Sequence, residues 1–191
     1  VNDGLLYVAF LPERKDLCHE NKSRPKSQQR SELGVDENWI ERRCGIRSRF
    51  LAKEETTRTL GVAAARKAIG MALDIRPDLV ICGTFTPEYF PCPTAPAIAH
   101  DLGLPMPGAI DLNAACAGGI TGILTSLSLL FAGAARTVLL VSADTTTRFL
   151  ARRDTQTLIL FGDGAAAFVL WFSRAVMHVW FRRRGRTPLS P

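Results

Sequence analysis

The chain of 191 residues suits one domain of ordinary size or one half of a larger one. With 47% hydrophobic and 22% charged residues it can build a packed core, which excludes general disorder. Its 24 Lys and Arg against 18 Asp and Glu leave a formal charge of +6, an excess that suits an anionic small molecule or an acidic partner and does not point to nucleic acid.

Residues 5–10 are a short apolar run ended by Pro12 and read as a strand, after an opening that lacks a secretory signal. Residues 13–34 are polar and charge-rich, hence a loop or a weak surface helix. From Asp36 a short amphipathic helix runs on and stops before Gly45. Residues 56–73 place Leu60, Ala64, Ala68 and Met71 at helical spacing, with Thr56 or Thr57 as the N-cap. A strand–helix rhythm follows: strand 79–84, helix 94–102, strand 109–114, helix 118–132, strand 137–142 and strand 165–170. No Lys or Arg falls between Pro77 and Ala135, so this middle stretch reads as interior.

The uncharged run 112–135 is long enough in principle to cross a bilayer. Its Asn113, its glycines, its hydroxyls and its lack of flanking anchors make it a helix buried inside a protein instead. A cytoplasmic protein without a membrane partner is the expectation. Helices between apolar strands imply right-handed crossovers and an α/β fold with a mostly parallel or mixed sheet. Residues 171–191 break the rhythm with clustered aromatics and four arginines in the second half. They read as a basic aromatic tail, non-native or disordered, rather than as a membrane or RNA contact.

Five cysteines form no CxxC pair, so neither a disulfide framework nor a metal site is expected. The sharpest local feature is residues 111–120 (DLNAACAGGI), where an apolar strand ends, Cys116 follows and a glycine-rich helix begins. A thiol at a helix N-terminus meets unpaired N–H groups and the positive end of the macrodipole, which favour the nucleophilic thiolate. The same N–H groups can stabilise the oxyanion formed when sulfur attacks a thioester carbonyl. A buried, inert cysteine is the equal alternative from position alone.

Two further motifs flank it. Residues 160–170 (LFGDGAAAFVL) put a Gly-Asp-Gly turn before a strand of small residues. The glycines there would let backbone approach the cysteine loop, and Asp163 would tie down the turn by accepting N–H bonds; a plain hairpin-like turn is the other reading. Residues 37–49 (ENWIERRCGIRSR) set an indole among guanidinium groups, equipment for stacking an adenine and pairing phosphates, or simply an exposed basic stretch.

Taken in order, Phe10 to Glu13 (FLPE), WIERRCGIRSR, NAACAGG and LFGDGAAAFVL resemble the beta-ketoacyl-acyl-carrier-protein synthase III family, over roughly residues 5–170. The resemblance implies the N-terminal half of a thiolase-like fold, with the C-terminal half missing. It implies an acyltransferase that condenses an acyl-CoA with malonyl-acyl carrier protein, as a homodimer, with coenzyme A as part of the substrate and no cofactor. Cys116 matches the acylated nucleophile, Trp39 the tryptophan stacked on the adenine of coenzyme A, Arg43 an arginine of that site, and Phe161 the aromatic beside the cysteine in the acyl channel.

The match also has gaps. The decarboxylating histidine and asparagine of the family belong to its C-terminal half, and His19, His100 and His178 match none of its positions. The arginine that the family places on the other face of the adenine aligns with Thr155, with Arg152 and Arg153 close by. The segment 89–96 (YFPCPTAP) departs from the usual Phe-Pro-Ser, and the loop 13–34 is longer than usual. The expectation is therefore a chain that keeps the nucleophile and lacks condensing activity, with the helix after Cys116 open to water on one face. The alternatives are a secondary-metabolism acyltransferase of the same fold without decarboxylation, or a non-catalytic fragment that docks on a homologous subunit.

Overall fold

The computed structural model describes residues 7–10, 37–46, 49–72, 75–151 and 154–171, of which residues 7–10, 37, 38 and 155 are described by backbone alone. The loop expected over 13–34, Arg152 and Arg153, and the tail from 172 onward lie outside the described residues. Strand β1 (Tyr7–Phe10) and helix α1 (Glu37–Cys44) open the fold. Helix α2 (Thr57–Met71) starts where the Thr56 hydroxyl accepts from the Thr59 N–H and the Thr59 hydroxyl accepts from the Thr56 N–H. This reciprocal cap satisfies two otherwise orphaned donors and fixes the helix start. Its Ala64, Ala65 and Ala68 are fully buried, so the helix lies close on the sheet.

Strand β2 (Leu79–Gly83), helix α3 (Thr94–Asp101), strand β3 (Gly108–Leu112), helix α4 (Gly118–Phe131), strand β4 (Thr137–Thr145), the short helix α5 (Thr155–Leu158) and strand β5 (Asp163–Trp171) follow. The strands form one sheet in the order β1-β5-β4-β2-β3. The pairs β3–β2 and β2–β4 are parallel, whereas β4–β5 and β5–β1 are antiparallel. The sheet is thus mixed rather than mostly parallel. Parallel pairs need a covering crossover helix, as α3 and α4 provide, but only α5 and short turns separate β4 from β5. Strand β5 therefore turns back and runs beside β4 in the opposite sense. Trp171 is its last residue, so the tail predicted from 171 starts one residue inside the sheet.

Two apolar layers hold the sheet. On one face Ala64, Ala65, Ala68, Ile98 and Ala99 pack on Val80, Leu139, Val141, Ala167 and Val169. On the other, Ile123, Leu127 and Leu130 of α4 pack with Ile81, Val138 and Leu140. The β4 side chains from Val138 to Val141 are fully buried, as expected of a strand covered on both faces. Asp111 of β3 accepts the N–H groups of Thr94 and Ala95 at 2.7 Å each and so caps α3 from the neighbouring strand.

The outward side of α4 is the exception. Ile120 and Leu124 are 70% and 61% exposed, one turn apart on the face turned away from the sheet. Among the described residues no helix is long and apolar enough to cross a membrane. Water-facing aliphatic side chains of this size favour association. The isolated chain is expected to self-associate in sedimentation velocity, and an Ile120→Lys/Leu124→Lys double variant to shift the distribution toward monomer. A monodisperse wild-type monomer would count against this.

Candidate active site

The chain between β3 and α4 makes the turn that carries Cys116. Strand β3 ends at Leu112, and the Asn113 side-chain oxygen accepts the Ala115 N–H at 3.1 Å. Ala115 then adopts a φ of +47°, a left-handed value that a residue with a Cβ takes only at some cost. Residues Ala115–Ala117 form a single 3₁₀ turn, and α4 begins at Gly118. Cys116 is exposed and lies two residues before that helix, not within it.

Close backbone contact fixes this turn from below. A Cβ on Gly83, the last residue of β2, would lie 3.0 Å from the carbonyl oxygen of Gly118. The Thr84 N–H donates to the Leu112 carbonyl at 3.1 Å. Both flanks of the cysteine turn thus rest on the end of β2. The glycines at 162 and 164 do not approach the turn, contrary to expectation. Gly162 faces the Phe50 carbonyl, which a Cβ would meet at 3.0 Å, and a Cβ on Gly164 would meet nothing. The antiparallel β5 enters the sheet beside Thr145, and the segment around Phe50 crosses that entry. Gly83, which sequence reasoning passed over, is the glycine that meets the cysteine loop. Its position at the end of an apolar strand directly before Thr84 was the available signal.

Asp163 does accept N–H bonds, but from other segments. Its carboxylate takes the Ala52 N–H at 2.8 Å, the Thr147 N–H at 2.9 Å and the Thr147 hydroxyl at 2.5 Å. Its own N–H donates to the Phe50 carbonyl at 2.9 Å. It therefore joins the 50–52 segment and the 145–147 turn to the start of β5. Beside it, Arg49 donates to the Ile159 carbonyl, and burial lowers the pKa of that guanidinium. Phe161 is half-buried in this turn. Because Asp163 pairs with Thr145 and Gly83 with Leu112, the Phe161 turn and the Cys116 turn occupy the same end of the sheet. In open α/β sheets this carboxyl end of the parallel strands is where ligands bind.

Trp39 and Arg43 come together elsewhere, on α1. The Arg43 guanidinium lies 5.3 Å from the centre of the Trp39 ring, with Arg43 exposed and Trp39 half-buried. No hydrogen bond or ion pair among the described residues joins either side chain to Cys116 or Phe161. Cys82 is a second thiol one strand away, fully buried on β2, and burial pushes its pKa far up, with Asp111 and Asp144 adding to the effect. Cys116, by contrast, is exposed. Among the described residues no three His, Cys, Asp or Glu side chains converge as a metal site.

The mixed sheet and its covering helices are those of the N-terminal half of a thiolase-like fold. A profile described as 3-oxoacyl-(acyl-carrier-protein) synthase III matches residues 110–180. The chain is 42% identical over 142 residues to a beta-ketoacyl-(acyl-carrier-protein) synthase III of Novosphingobium aromaticivorans, covering 72% of this chain and 43% of that one. It is 45% identical over 143 residues to the same-named protein of Brucella melitensis, covering 72% and 44%. Among solved structures it matches 3-oxoacyl-(acyl carrier protein) synthase III from Pseudomonas aeruginosa with a TM-score of 0.78 and 35% identity, over 90% of this chain and 51% of that one. A priming beta-ketosynthase from a polyketide biosynthetic pathway gives 0.77 and 34%, over 89% and 49%. The chain is similar to synthase III proteins over most of its own length and spans about half the length of these relatives.

Two outcomes follow from the geometry. In native buffer a maleimide is expected to label Cys116 and the exposed Cys92, while Cys82 reacts only in denaturant; peptide mass mapping reads all three. Gly83→Ala is expected to lower unfolding free energy by about 1–3 kcal/mol, since the methyl group meets main chain that cannot rotate away. Urea titration checks the size of that loss.

Proposed function

We propose that this chain is the acyl-accepting half of a synthase III-type acyltransferase. The exposed sulfur of Cys116, held in a strained turn immediately before α4, carries the reading. The Cys116 sulfur attacks the carbonyl carbon of an acyl-CoA thioester, and the oxyanion that forms draws on main-chain N–H groups at the start of α4. The tetrahedral intermediate collapses with loss of the coenzyme A thiol, which takes the proton given up by the cysteine. Trp39 and Arg43 supply an indole face and a cation for the adenine and phosphates of coenzyme A. Their mutual contact keeps one ring face occupied, so the nucleotide takes the other face or displaces the guanidinium. Phe161 lines the acyl channel, which opens at the same end of the sheet.

Condensation needs more. The one described histidine, His100, is exposed on α3 and lies 3.3 Å from Asp101, so it does not serve a carbanion at Cys116. The same reading extends to malonyl-acyl carrier protein as second substrate, a cytoplasmic setting and a homodimer, while the described residues account for the acylation half-reaction alone. A second reading has support of its own: the apolar outward side of α4 suits a half-domain that docks on a homologous subunit without catalysis.

Intact-protein mass after incubation with acetyl-CoA and longer acyl-CoAs separates the two. One added acyl group that disappears in Cys116→Ala supports the acyl acceptor, and no adduct at all supports the docking protein. Trp39→Ala is expected to raise the acyl-CoA concentration for half-maximal labelling about tenfold. With a malonyl thioester, decarboxylation is expected to fall short of complete family enzymes by at least about 10²–10³-fold, the typical loss for one missing oxyanion donor. Turnover comparable to theirs would refute the division of labour.

A further inference from the structure

Directly behind the cysteine turn lies a compact polar cluster that none of the motifs above includes. The Oδ1 atom of Asp144, near the end of β4, accepts four donors. These are the Thr84 hydroxyl at 2.9 Å, the Phe85 N–H at 3.0 Å, the Thr86 N–H at 3.2 Å and the Thr86 hydroxyl at 2.9 Å. The Thr86 hydroxyl accepts the Thr145 N–H at 2.9 Å, and the Thr57 hydroxyl at the start of α2 donates to the Thr86 carbonyl at 2.6 Å. Thr57, Thr84, Thr86 and Thr145 are all buried. So many directed bonds on one carboxylate oxygen leave the exit of β2 a single conformation.

That exit is also the surface on which the cysteine turn rests. Thr84 donates its N–H to Leu112, the residue before Asn113, and its neighbour Gly83 abuts Gly118, the first residue of α4. The hydroxyl of the same Thr84 is on Asp144. An unbroken chain of bonds and contacts therefore runs from Asp144 through Thr84 to both ends of the segment 113–117. Ala115 keeps its φ of +47° only if both ends of that segment stay fixed. We infer that Asp144, acting through Thr84, is a positioning residue that holds the Cys116 turn in its reactive, strained form. The inference rests on Cys116 being the reactive thiol of the proposed function.

The test compares thiol reactivity inside one molecule. Iodoacetamide labelling of Cys116 is measured relative to the exposed Cys92 by peptide mass, in the wild type, Thr84→Val, Thr84→Ser and Asp144→Asn. Thr84→Val keeps the shape and removes the hydroxyl, and it is expected to lower the Cys116 to Cys92 ratio about tenfold. Thr84→Ser keeps the hydroxyl and is expected to restore the ratio to within about twofold of wild type. Asp144→Asn should behave like Thr84→Val. Near-UV circular dichroism confirms that each variant compared is folded, and the Val/Ser pair decides the question if Asp144→Asn does not fold. Equal ratios in folded Thr84→Val and wild type would overturn the inference, as would a loss that Thr84→Ser fails to reverse. Acyl-CoA labelling of the wild type is scored separately. If Cys116 takes no acyl group yet the alkylation ratio still falls in Thr84→Val, the proposed function fails and the positioning role stands.

Discussion

A single missing side chain sets the geometry of this protein. With no Cβ at Gly83, the start of α4 can press its backbone onto the end of β2, and the helix can follow β3 after only five intervening residues. Any larger residue there would push Gly118 outward and with it the turn that presents Cys116. The parallel strands β2 and β3, the Thr84 hydrogen bond to Leu112 and the strained backbone at Ala115 are consistent with one another only at this separation. The placement of the sulfur is in that sense a property of main-chain packing, since no hydrogen bond or ion pair from an ionisable side chain reaches it among the described residues.

The two faces of the sheet solve their packing differently. Helix α2 uses alanine at its contact positions, which brings it close and leaves little volume to adjust. Helix α4 packs larger aliphatic groups inward and carries Gly122 where Leu140 rises beneath it; a Cβ there would come within 2.5 Å of the Leu140 methyl. Polar side chains link segments at the carboxyl end, where Asp144 gathers its donors from residues 84–86 and Asp163 gathers them from Ala52 and Thr147. Buried carboxylates are stable only when so satisfied. At Asp163 that requirement ties the 50–52 segment and the 145–147 turn to the start of β5.

Much of this was legible in the sequence. Helical spacing of Leu60, Ala64, Ala68 and Met71 located α2 to within a residue or two, and continuous apolar runs located β2 and the centre of β4. The cysteine turn was readable because a strand, a cysteine and a glycine-rich helix follow one another without interruption. Strand direction was less accessible. Local patterning does not record whether a strand is entered from one end or the other, so the antiparallel course of β5 appeared only once its pairing with β4 was known. The role assigned to the Gly-Asp-Gly turn suffered from the same blindness: Asp163 was recognised as an acceptor, but its partners, Ala52 and Thr147, are brought to it by tertiary structure. Asp144 had no local signature at all, because its donors come from a strand end about sixty positions earlier in the chain.

The reversed course of β5 carries a geometric constraint on everything beyond it. The strand begins at the end of the sheet that carries the Cys116 turn and delivers the chain, at Trp171, to the opposite rim beside Thr137. Eight residue steps at about 3.3 Å each separate the two rims. A later portion of the polypeptide that approaches position 116 must first retrace that distance of roughly 26 Å, which takes about eight residues of fully extended chain.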